Sequence, residues 1–187
     1  MEPITLARAP YSLDDLASLQ KTLLFGDDDV QALRRSKGVL ADQTDAILDV
    51  WYGFVASTPE LVVFFSDPRT GKPDGAYLAA VRTRFARWIL DTADAAYDQR
   101  WLDWQYEIGL RHNVIKKNKT DQVNSVPQVN FRYLVALTVP ITTTLKPFLA
   151  KNGDAPADVE KMHAAWVKAV LLQVILWSHP YVKDGQF

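Results

Sequence analysis

Residues 97–115, YDQRWLDWQYEIGLRHNVI, decide how the rest of the chain is read. Trp101, then Trp104 or Gln105, then Ile108 and His112 recur at helical spacing and share one stripe. An aromatic stripe ending in a histidine describes an amphipathic helix, buried along one face, whose last turn presents an imidazole. Position alone leaves two explanations for that imidazole. As a cation it suits the negative end of the helix macrodipole; as a neutral ring it is a metal ligand. The basic loop behind it, with Lys116, Lys117 and Lys119, does not separate them.

The same period extends in both directions. Upstream, residues 76–92 put Leu78, Val81, Phe85, Trp88 and Ile89 on one face. Residues 39–57 put Ile47, Val50, Trp51 and Phe54 at i, i+3, i+4 and i+7. Between these lie a short helix over 59–65, with Pro59 suited to its first turn, and a loop over 66–75 (SDPRTGKPDG). Nearer the N-terminus, Ser12 caps a helix with Asp14 and Asp15 in its first turn, ending before Gly26. A second helix runs from after Asp27 to about Lys37, with Gly38 as its stop or kink. Downstream, residues 116–127 read as a polar loop, and residues 129–151 as a long helix bent by Pro140 and Pro147. A last helix covers 156–178, before His179-Pro180. No stretch alternates like a strand. The expectation is an all-α chain of about eight helices, and with no repeat or linker, one domain over residues 1–187.

Composition bounds the function. Nearly half of the 187 residues are hydrophobic, which suits one sizeable core. A net charge of −1 gives nucleic acid or an anionic membrane no basic patch to act through. Cysteine is absent, so disulfides and thiolate metal sites are excluded. Residues 1–10 lack the apolar run of a secretory signal, and residues 164–177, interrupted by Lys168 and Gln173, are too short to span a bilayer. The expected location is the cytoplasm. Six tryptophans, seven tyrosines and eight phenylalanines fill a large core or line a pocket for a flat ligand.

Chemistry has few carriers here. There is no GxSxG, HExxH, GxGxxG or GxxxxGK[ST], and Asp27-Asp28-Asp29 makes a helix N-terminus. Of the three histidines, His179 precedes a proline in a turn, and His163 borders the apolar face of the last helix as a structural residue. His112 alone faces aromatic helices. The economical site for a lone histidine of that kind is a macrocycle ligated from one side.

Longer strings carry a resemblance. Residues 48–55 (LDVWYGFV), 84–92 (RFARWILDT) and 105–112 (QYEIGLRH) are similar to the protoglobins, single-domain relatives of the globin-coupled sensors. Further similarity lies in Val126-Pro127, residues 133–136 (YLVA), 146–150 (KPFLA) and 176–181 (LWSHPY). The resemblance runs from about Ala9 to the end. It implies a globin-like helical sandwich with an extra N-terminal helix, and haem b (iron protoporphyrin IX) on His112. It places Trp51, Tyr52 and Phe85 on the distal side. Arg84, one position before Phe85, is open to two readings: a partner for a haem propionate or a solvated surface arginine. Leu78, Leu134, Leu137 and Ile141 complete the cofactor envelope, which apolar tunnels connect to solvent. Leu137 stands where the family often has an aromatic, leaving more room over the iron. The tail before Pro10 looks short for the family, which bears on how fully the haem is shielded.

The function implied is reversible binding of O2, CO or NO at a five-coordinate iron. The alternatives are a haem enzyme acting on NO, nitrite or peroxide, a scaffold competent for carbene transfer, natural or engineered, and a haem-free helical module. Peroxidase work wants a distal acid/base, and no histidine is placed for it. The last helix, apolar almost all round, has surplus surface beyond one core-facing stripe. A homodimer through the last two long helices is the expected partner state, as in the family.

Overall fold

Ser12 opens the first helix as its pattern requires: its hydroxyl accepts the Asp15 N–H at 3.1 Å, and its own N–H donates to the Asp15 carboxylate at 2.8 Å. The computed structural model describes residues 6–183 and 185–187. The part of the secretory-signal reading that falls on residues 1–5 lies outside them. Ten α-helices follow one another in the described residues: α1 (Leu13–Thr22), α2 (Asp27–Leu40), α3 (Thr44–Ala56), α4 (Pro59–Val62), α5 (Gly75–Asp94), α6 (Gln99–His112), α7 (Lys117–Asp121), α8 (Phe131–Ala136), α9 (Thr138–Leu149) and α10 (Pro156–Trp177). Short 3-10 turns occupy Val63–Phe65 and His179–Tyr181. Among the described residues there is no strand, only an isolated bridge between Ser66 and Pro73.

The structure has ten helices rather than eight for two local reasons. The polar loop after His112 contains α7, and the long helix over 129–151 breaks into α8 and α9 at Leu137. Pro140 falls in the first turn of α9, where its missing N–H costs nothing, while Pro147 sits inside that helix. Gly38 neither stops nor ends α2. The helix continues to Leu40 because Val39 and Leu40 are buried, and that packing offsets the roughly 1 kcal/mol a helical glycine costs.

Helix α10 is the axis of the core. It packs against α2, α6, α8 and α9, and eleven of its residues, from Val159 to Trp177, are buried. Trp166, with no exposed surface, donates its indole N–H to Ser36 of α2 at 2.8 Å. The same chain therefore covers most of the apolar surface that sequence reading assigned to a second molecule. Val167 remains exposed. The N-terminal segment adds a smaller cluster, where Ala9, Tyr11 and Leu16 pack on Trp101 and Leu102 of α6 and on Leu172 and Leu176 of α10. A third cluster joins Trp51 and Val55 of α3 to Leu61 and Phe64. No single helix among the described residues is long and apolar enough to cross a membrane.

Candidate functional site

His112 is the last residue of α6. Its Nδ1–H donates to the Ile108 carbonyl, one turn back, at 2.9 Å. This bond fixes the tautomer and leaves the lone pair on Nε2. The ring stacks on the Trp177 indole, centroids 5.5 Å apart and planes 16° from parallel. Burial lowers the imidazole pKa; the Ile108 bond opposes this, and the Lys117 and Arg84 charges reinforce it. Of the two explanations open from position, the helix-end cation is thus the poorer one. At neutral pH the ring is neutral and offers a lone pair. Among the described residues, no group of three or more His, Asp or Glu is arranged to hold a metal ion.

A second group of aromatic side chains lies on α3 and α5. Phe85 of α5 meets Trp51 edge-on at 5.7 Å and Trp88 at 5.2 Å. A narrow apolar cavity, with room for about one water-sized molecule, lies among Ile47, Trp51, Phe85, Trp88, Ile141 and Trp166. Tyr52 packs beside this group, and its hydroxyl is buried without a hydrogen-bond partner. Burial raises its pKa to about 12 against the Arg82 and Arg84 charges, so the phenol keeps its proton. Such an orphan costs about 1–3 kcal/mol, and it is a donor available to a ligand.

The remaining expected site residues divide. Ile141 and Leu137 pack on the Trp51 cluster, Leu137 at the break between α8 and α9. Leu134 is buried in the main core. Leu78 is half-buried on α5 and belongs to none of the three clusters. Arg84 gives both terminal nitrogens to the Asp121 carboxylate, at 2.8 and 2.7 Å. His163 bonds the Thr142 carbonyl at 3.1 Å, a structural role as read from sequence. His179 sits among the rings of Tyr11, Tyr106 and Phe187.

Sequence reading missed two participants. Lys117 is buried in α7, its ammonium 2.8 Å from the Val126 carbonyl and 3.0 Å from that of Phe64. Nothing in a run of loop lysines singles it out. Gly109 is legible in hindsight: an added Cβ would come within 3.1 Å of the Trp177 backbone. Its spacing between Gln105 and His112 is the signal.

The Protoglobin family model matches residues 12–187. No curated protein is similar to this chain in sequence. Among solved structures, the globin domain of the Geobacter sulfurreducens globin-coupled sensor superposes with a TM-score of 0.69, covering 89% of this chain and 97% of that one at 15% identity. That likeness shows an all-α, globin-like fold. With the family matched over residues 12–187, the chain belongs to the protoglobins and is a globin-type haem protein.

Proposed function

We propose that this chain holds haem b on His112 and binds O2, CO or NO reversibly on the opposite face. The observation that carries the reading is the committed tautomer of His112, with Nδ1–H on Ile108 and the Nε2 lone pair free. The partnerless Tyr52 hydroxyl fits it independently. Haem, when held there, would supply an iron able to take up a diatomic gas.

The residues divide the work. Ile108 keeps the imidazole in the donor tautomer, and Trp177 backs its plane. Trp51, Phe85 and Ile141 exclude water, with Leu78, Leu134 and Leu137 as further apolar contacts. Arg84 is the proposed propionate contact, because its guanidinium has five N–H donors and Asp121 engages it through two nitrogens. Tyr52 donates a hydrogen bond to a polarised ligand. Such a bond is worth roughly 1.5–3 kcal/mol, or about 10- to 150-fold in affinity. Ferrous-state spectra with each gas test the assignment, and rapid autoxidation with no stable oxy form would overturn the O2 part. Tyr52→Phe should speed O2 dissociation by about that factor and CO dissociation far less, since CO carries less charge. Equal acceleration of both gases in stopped-flow would remove Tyr52 from this role.

The reading extends to a homodimer through α9 and α10. Val139, 66% exposed on α9, and Val167, 41% exposed on α10, are the large hydrophobic residues of these helices that the chain itself leaves exposed. Light scattering at micromolar concentration should give twice the 21.1 kDa chain mass; a monomer mass would sink this extension.

A further inference from the structure

We propose that Trp177 is the positioning residue for His112, itself held by Gln105 and Gly109; the inference rests on His112 being the axial ligand. Gln105, Gly109 and His112 stand at i, i+4 and i+7 on α6, so they share one face over two turns. The end of α10 lies on that face, and Trp177 meets all three. The Gln105 side-chain oxygen accepts its indole N–H at 2.9 Å, with both side chains buried. At Gly109 the Trp177 backbone comes so close that a Cβ would stand 3.1 Å from its Cα and from its carbonyl oxygen. His112 lies parallel to the indole, 16° between planes.

Each contact removes a different freedom. One hydrogen bond at Nδ1 sets the tautomer of His112 but lets the ring swing about the N–H···O axis. A flat indole against the ring face removes that swing. The indole is fixed in turn, because leaving Gln105 would strand a buried donor and a buried acceptor together. Gly109 sets the depth at which Trp177 rests, and Trp88 meets the indole at 6.2 Å. The imidazole plane is thus set by packing before any ligand arrives, as support around a metal-binding histidine requires.

The test reads the iron–histidine stretching band of the ferrous protein by resonance Raman, with the rate of haem transfer to excess apomyoglobin. Trp177→Leu should shift and broaden the band and speed haem transfer about 10- to 100-fold. Trp177→Phe restores a flat ring and should return the band toward its original position. Trp101→Phe, another buried tryptophan but one set in the N-terminal cluster, should leave it unmoved. A normal band and rate in Trp177→Leu, or an equal shift in Trp101→Phe, overturns the proposal. Should Trp177→Leu not fold, Gln105→Leu frees the indole at similar volume, and an unbroadened band there overturns it as well. His112→Ala keeps the two readings apart. If it retains haem, the axial assignment fails; if it loses haem while Trp177→Leu matches the parent, only the positioning role fails.

Discussion

His112→Ala is expected to fold and to purify without a Soret band. Weakening only the outer support of a metal-binding histidine costs about 10- to 100-fold in affinity, so removing the ligand itself should exceed the upper figure. Neither remaining histidine is free to substitute. His163 is bound to the Thr142 carbonyl on the α9–α10 contact, and His179 is wedged among Tyr11, Tyr106 and Phe187. Folding should survive, because His112 is only half-buried at a helix end and the main core lies around α10. The stack on Trp177 is the chief packing loss, worth about 0.5–1.5 kcal/mol. Circular dichroism should thus report a helical protein while the visible spectrum is blank. A full Soret band in this variant would refute the axial assignment outright and with it the proposed function.

The helices were legible because their signal is local. Ser12 with Asp15, and the periodic aromatics of α3, α5 and α6, each specify an element without reference to the rest of the chain. Two departures come from packing that no local pattern carries. Gly38 stays helical because Val39 and Leu40 reach the core, and α10 is apolar all round because four other helices surround it. The stripe through residues 97–115 put His112 at the end of its helix, where the structure has it, but could not choose its protonation. Burial decides that, and burial is a property of the assembled fold. Trp51, Tyr52 and Phe85 stood out only through the resemblance, since a stripe of aromatics reads first as core. The structure brings Trp51 and Phe85 together across α3 and α5, from positions thirty-four residues apart in sequence.

Lys117→Ala is expected to cost about 2–4 kcal/mol of folding stability, although its sequence context is a run of lysines in a polar loop. The side chain is 2% exposed and reaches back to α4's continuation and to the segment before α8. Its ammonium donates to the carbonyls of Phe64 and Val126 and to the Ser125 hydroxyl, at 3.0, 2.8 and 3.2 Å, and lies over the Tyr77 ring. Alanine removes the aliphatic stem and leaves the Val126 carbonyl without this donor. Ser125 still serves Phe64, which limits the loss. Lys117→Met keeps the volume and should recover the part of the loss due to packing. The two variants thus separate stem from charge in thermal melts. A pH series supplies a second signature. Burial pushes the Lys117 pKa down to about 8, against the pull of Asp121, while an unfolded lysine titrates near 10.4. Between these values the unfolded chain holds a proton that the folded one has released, so this group makes stability rise with pH across the window. Above pH 10 the unfolded tyrosines ionise while buried Tyr52 and Tyr77 stay protonated, which drives stability down again. The parent should therefore gain on Lys117→Met between pH 8 and 10 and not beyond. A gap between them that stays constant over that range would mean that Lys117 is solvated rather than buried.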